Sequence, residues 1–257
     1  MTSRYFVWLQ FDGTAYSGWQ VQPNATTIQG VLNKSLATLL KQSIETVGAG
    51  RTDAGVHASS FAAHFDCNIG FQADQLADLT YKLNCILPSD IAIKKIEKVS
   101  PDTHARYGAI SRTYHYLIST VKDPFLVNRA WFLFQDLDIY AMHGATRELL
   151  NHVCFESFCK ANSGTSNYNC MIMDARWVAD RSVLRLEITA DRFLRNMVRA
   201  IVGTLVNVGL GKTTHEEFKK IIDSRNRRSA GLSVPACGLY LHDVNYPPDY
   251  IIVGNLK

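Results

Sequence analysis

Gly48-Ala49-Gly50-Arg51-Thr52-Asp53-Ala54-Gly55-Val56-His57-Ala58 sets one carboxylate, Asp53, in a glycine-rich turn beside an arginine, and no second acid follows within ten residues. Glycines let the backbone take up positive φ and let a substrate come close. A lone aspartate in such a turn can serve as a nucleophile or base, and it can equally cap the turn through its side chain. Two cofactor readings fail on spacing. A phosphate-cradling loop needs G-x-x-x-x-G-K-[ST], and the turn holds no lysine. A dinucleotide-binding turn opens a helix and carries a third glycine. Here the third glycine is missing, and residues 59–65 alternate in the manner of a strand.

Working outward, residues 4–11 read as a strand that ends in a turn at Asp12-Gly13. Residues 26–42 read as a helix, with Thr26 and Gln29 at capping-box spacing and an apolar stripe of Ile28, Val31, Leu32, Leu36, Leu39 and Leu40. Beyond the turn come a helix over 73–84, stopped before Pro88, and a strand over 91–99. The second half starts over. A strand over 112–118 puts Tyr114 and Tyr116 on one face, because side chains alternate. A helix over 139–151 and strands over 172–178 and 183–190 follow.

Residues 193–208 carry the strongest periodicity. Phe193, Met197, Ile201 and Leu205, with Leu194, Val198, Val202 and Val206, fill one broad face that must be buried. Arg192, Arg195 and Arg199 fall together on the opposite, wet side of such a helix, and for Arg199 the local pattern leaves a functional role open. Strands and helices mix without strict βαβ alternation. The fold class expected is α+β, with mainly antiparallel sheets and helices on one side, in two halves at 1–108 and 109–257.

The 257 residues suffice for a large core, and 47% hydrophobic with 19% charged residues is ordinary for a water-soluble globular chain. No apolar run approaches the roughly 20 residues that span a bilayer, and the N-terminus lacks a signal-peptide layout. Cysteines 67, 85, 154, 159, 170 and 237 form no C-x-x-C pair, which points to reduced thiols in the cytoplasm and to no zinc site. Charge is uneven. Residues 1–100 carry eight Lys/Arg and eight Asp/Glu, whereas residues 181–228 carry eleven against five. Such a basic concentration suits a polyanion, most often nucleic acid, or forms a solvated helix face.

Taken together these segments resemble the bacterial tRNA pseudouridine synthase A family. The resemblance rests on Gly48 to His57, on Phe11-Asp-Gly-Thr-Ala-Tyr-Ser-Gly-Trp-Gln-Val-Gln22, and on His104-Ala-Arg106-Tyr107 leading into Arg112-Thr-Tyr114-His-Tyr116. It continues in Phe193-Leu-Arg-Asn-Met-Val-Arg199-Ala-Ile-Val-Gly203 and in Ser233-Val-Pro-Ala-Cys-Gly-Leu-Tyr240-Leu. Two departures stand out: Ser233-Val234-Pro235-Ala236 where the family often has Thr-Ala-Pro-Ala, and Tyr107 where phenylalanine is common.

The resemblance implies an isomerase that converts uridine to pseudouridine in the anticodon stem-loop of tRNA, at positions 38 to 40, without cofactor or metal. It implies two similar α+β halves whose sheets join across a basic cleft, and a homodimer with tRNA as partner and no membrane attachment. Residue by residue, Asp53 matches the catalytic aspartate, and Tyr114 the tyrosine that packs against the target base. Arg51 matches an arginine that holds the nucleotide out of the stem, and Arg199 one that reaches Asp53. A neighbouring guanidinium keeps a carboxylate ionised and in place. His57 and Arg106 lie in these motifs as structural residues. Two alternatives remain at this point: a tRNA-binding or RNA-folding protein without catalysis, and a related synthase with another RNA target.

Overall fold

The computed structural model describes residues 2–248 and 250. They divide into two compact units, one made of the described residues of Met1–Ile110 and Leu241–Lys257, the other of Ser111–Tyr240.

The first unit begins with β1 (Ser3–Phe11), whose Tyr5, Phe6, Val7 and Leu9 are wholly buried. Residues on both faces of this strand are covered, as befits a central strand. Helix α1 (Ile28–Leu40) follows and buries Ile28, Leu32, Leu36 and Leu40 of the expected stripe, while Val31 and Leu39 are only half-buried. Its cap is Thr27, whose Oγ1 accepts from the Gly30 N–H at 3.2 Å, so the box expected from Thr26 and Gln29 does not form. Gln29 turns inward instead, accepting from the Val21 N–H at 2.8 Å and donating to the Thr46 carbonyl at 2.6 Å. The short β2 (Val47–Gly48) pairs with β3 (His57–Cys67), and β3 runs antiparallel to β1 with Val7 opposite Ala63. Helix α2 (Ala73–Ile86) leads into β4 (Ile91–Val99), antiparallel to β1 on its other side.

The second unit repeats the mixture. Strand β5 (Ser111–Ser119) has the two-residue β6 (Trp131–Phe132) parallel beside it. Helix α3 (Ile139–Glu148) is capped by Asp138, which accepts from the Ala141 N–H at 2.9 Å, and residues 149–151 of the expected helix tighten into a 3-10 turn. Strands β7 (Ile172–Asp180) and β8 (Val183–Ala190) form a hairpin, and β8 also pairs antiparallel with β5. Helix α4 (Met197–Gly209) buries all but two of its 13 residues. It is apolar almost all round, which marks a core helix rather than a surface one.

The structure corrects one boundary here. Residues 193–196 are not helical, because Asn196 sits at φ 67°, in the left-handed region that cannot continue a right-handed helix. Arg192 and Arg195 therefore lie on the segment before α4, and the expected helical face of three arginines does not exist. Helix α5 (His215–Asp223) is an element that apolar spacing does not predict. Only Phe218 and Ile222 are buried in it, and a capping box of Thr214 and Glu217 supplies its start. Strand β9 (Leu239–Asn245) closes the element order and lies beside β3. All strand registers within the two units are antiparallel except β5 with β6, so the α+β expectation holds. Among the described residues no helix is long and apolar enough to cross a membrane.

Candidate active site

The Asp53 turn is built on the first unit's sheet and then fastened from one side. Gly48 pairs with Ala63, and the Ala49 N–H reaches the Ala62 carbonyl at 2.8 Å, after which the chain leaves the sheet. It reverses over residues 53–56: the Val56 N–H bonds to the Asp53 carbonyl at 3.2 Å, with Gly55 at φ 76° in the third position. That conformation is the one a type II turn assigns to glycine.

The segment around Tyr16 then clamps the turn. The Gly55 N–H donates to the Tyr16 carbonyl at 3.2 Å, and the Gly13 N–H donates to His57 Nδ1 at 3.1 Å. Gly18, at φ 87°, packs so closely that a Cβ on it would stand 2.2 Å from the Thr52 carbonyl oxygen. The clamp is itself anchored. Tyr16 donates its hydroxyl proton to Asp90 at 2.6 Å, and burial, reinforced by that bond, pushes its hydroxyl well above the ordinary tyrosine range. Trp19, 1% exposed, stacks on Phe61 with ring centroids 4.2 Å apart. His57 is buried and serves this scaffold, and Arg106 lies over the Tyr107 ring. Asp53 is thus half-buried on a fixed backbone, with exposed Arg51 two residues before it.

Tyr114 and Arg199 belong to the second unit. Tyr114 lies on β5 opposite Ile188, half-buried, and Phe193 meets its ring edge-on at 5.0 Å and 84°. Two positions on, Tyr116 is fully buried and donates its hydroxyl to the Pro235 carbonyl at 2.8 Å, so that tyrosine is core.

Arg199 is the third residue of α4. Its Nε donates to the Val234 carbonyl at 2.8 Å, and the Val234 N–H returns a bond to the Arg199 carbonyl at 3.3 Å. Ser233 Oγ accepts from Asn196 at 2.6 Å and from Arg227 at 3.0 Å, while a Cβ on Gly203 would stand 1.9 Å from the Leu232 carbonyl oxygen. Residues 231–235 are laid along the start of α4, and their Val234 carbonyl takes the Nε–H of the guanidinium. Phe193 and Val234 have these contacts only through tertiary structure, and sequence periodicity assigned Phe193 to a helix face.

The basic stretch divides by use. Arg185 is paired with Glu187 at 2.8 Å, and Arg227 braces the 230–233 loop. Arg181, Arg195, Lys212, Lys219, Lys220, Arg225 and Arg228 face solvent. Among the described residues no three His, Cys, Asp or Glu side chains converge as metal ligands, and the cysteines form no disulfide.

The sequence model of the tRNA pseudouridine synthase family matches residues 8–108 and 145–247. The chain is 46% identical over 252 residues to the tRNA pseudouridine synthase A of Porphyromonas gingivalis, covering 97% of this chain and 100% of that protein. The chain belongs to this family. The tRNA pseudouridine synthase A of Bacteroides fragilis is 47% identical over 248 residues, covering 96% of this chain and 97% of its own. That of Bacillus subtilis is 37% identical over 242 residues, covering 93% and 97%. The family is one of isomerases. Asp53, Arg51 and Arg199 fall inside the two matched stretches, together with the Tyr16 clamp, α4 and the Val234 segment. Tyr114 falls between the stretches, and the near-full-length likeness to the relatives is what covers it.

Proposed function

We propose that this tRNA pseudouridine synthase acts on the anticodon stem-loop, at positions 38 to 40, with Asp53 as its catalytic carboxylate. The observation that carries the reading is the clamped turn, which holds one partly exposed carboxylate on a backbone fixed by the Tyr16 carbonyl, His57 and Gly18. The reaction breaks the bond from uracil N1 to ribose C1′, turns the base and joins C5 to the same C1′. N1 gains a proton and C5 loses one, so atoms and electrons balance without a co-reactant. A carboxylate can attack C1′, add to the ring or take a C2′ proton, and each role calls for the ionised form at a fixed place.

The other residues hold the nucleotide. Extruding a stacked base costs a few kcal/mol, which aromatic stacking and basic contacts offset. Tyr114 packs against the base, its ring set by Phe193. Arg51 contacts the backbone of the extruded nucleotide, and Arg199, oriented through Val234, binds the same nucleotide. The solvent-facing cations of residues 181–228 contact tRNA phosphates, so binding weakens steeply as salt rises. The working form is a cytoplasmic homodimer.

Because C5 exchanges its hydrogen for a carbon bond, tRNA transcribed with uridine tritiated at C5 reports turnover by tritium release. Release is expected from transcripts with uridine at 38 to 40 and not from transcripts with cytidine there. Undiminished release from the cytidine transcripts would place the target elsewhere.

A further inference from the structure

Thr52 stands between Arg51 and Asp53, and among the described residues its Oγ1 is a buried side-chain oxygen without a hydrogen-bond partner. A hydroxyl withdrawn from water with no acceptor loses its hydration uncompensated, and such groups in native proteins call for an explanation. The N–H groups of Ala49, Gly55 and Val56 all find carbonyl partners. The Thr52 backbone cannot drift to find an acceptor either, because its carbonyl is packed against Gly18. Valine would fill the same space without the cost, so folding alone does not account for the hydroxyl. Thr52 as a residue is only part-buried. A χ1 rotation exchanging hydroxyl and methyl breaks no hydrogen bond, and threonine commonly populates more than one χ1 well.

We propose that Thr52 is a positioning residue of the isomerisation: its hydroxyl finds its acceptor on an oxygen of the seated uridine, beside Asp53. The proposal rests on the reading of Asp53 as the catalytic carboxylate. Among the described residues nothing accepts its proton. Once the uridine is seated the bond to the nucleotide tightens as the reacting ring or ribose moves against the carboxylate, so it adds more to the transition state than to tRNA binding. Its contribution therefore falls on the rate of the bound complex and not on the stability of the free protein.

Thr52→Val and Thr52→Ser test this, with single-turnover pseudouridine formation, tRNA binding and thermal melting measured for each. Thr52→Val should melt at or above the wild-type temperature and bind tRNA within about twofold, yet react roughly tenfold slower or more, the loss of one hydrogen bond in the reacting complex. Thr52→Ser, which restores the hydroxyl, should recover most of the rate. A valine variant with wild-type rate, or one weakened only in binding, overturns the proposal. So does a lowered melting temperature, which would mean that the hydroxyl already has a partner in the free enzyme. Asp53→Asn run alongside separates the two readings: full activity there removes the catalytic role of Asp53, whereas an inactive Asp53→Asn with a fully active Thr52→Val removes only that of Thr52.

Discussion

Gly18→Ala is the sharpest perturbation of the clamped turn, because it touches no catalytic group and yet reaches the Asp53 backbone. At φ 87° an alanine is strained, and its Cβ would stand 2.2 Å from the Thr52 carbonyl oxygen. Left-handed backbone costs a non-glycine residue about 1–2 kcal/mol before any clash is counted. With a total near 2 kcal/mol, a chain of this size should melt roughly 4–8 °C lower. Relieving the contact moves the loop or the turn by about 1 Å, and a misplacement of that size at a reacting centre costs roughly 100-fold in rate. Gly50→Ala is the control for stability, since a Cβ there meets nothing within 4 Å and should leave the melting temperature unchanged. The assay is single-turnover pseudouridine formation with saturating enzyme, beside melting curves. Gly18→Ala with wild-type rate and stability would refute the argument that this contact fixes the turn.

Three further outcomes are expected. His64 is buried and accepts from the Ala105 N–H at 3.1 Å, and burial, aided by the nearby Arg4 and His104, lowers its pKa to about 4. Below the ordinary histidine value of about 6.5 the unfolded chain binds the proton and the folded chain does not, so stability falls as pH drops from there towards 4, by about 3 kcal/mol in all; melting temperatures of wild type and His64→Asn across that window should diverge, the variant being flatter. Phe193→Ala removes the edge contact on Tyr114, worth about 0.5–1.5 kcal/mol, and should slow the reaction roughly two- to tenfold, while Tyr114→Phe keeps the ring and should keep tRNA binding; loss of binding in Tyr114→Phe would contradict a stacking role. Treatment with a metal chelator should leave the rate unchanged, and inactivation that added metal reverses would show a metal requirement.

Regular elements were legible wherever apolar spacing is set by the element itself. Strands β4 and β8 were read at their full lengths, because alternation is strong and turn residues bound them. The start of α4 was misread because Phe193 and Leu194 continue its spacing, and only the φ of Asn196 ends the helix. Helix α5 escaped because Phe218, Ile221 and Ile222, three apolar residues among charges in nine positions, make too short a stripe. At the site, glycine content marked the Asp53 turn, but what holds it did not show. The approach of Gly18 to Thr52, the Tyr16 carbonyl on Gly55 and the bond from Gly13 to His57 all join segments distant in sequence. Arg199 posed the same problem. A helical wheel gives it a wet face, whereas its bonds to Val234 depend on where residues 231–235 return.

The most direct test of the account is pseudouridine mapping, by carbodiimide labelling and primer extension, on unmodified tRNA incubated with wild type and with Asp53→Asn. The substitution removes the charge and keeps the shape, so tRNA binding should persist. Signals at positions 38 to 40 with wild type, and none with Asp53→Asn, are the expected result. Equal signals from both proteins would contradict the assignment of Asp53 as the catalytic carboxylate.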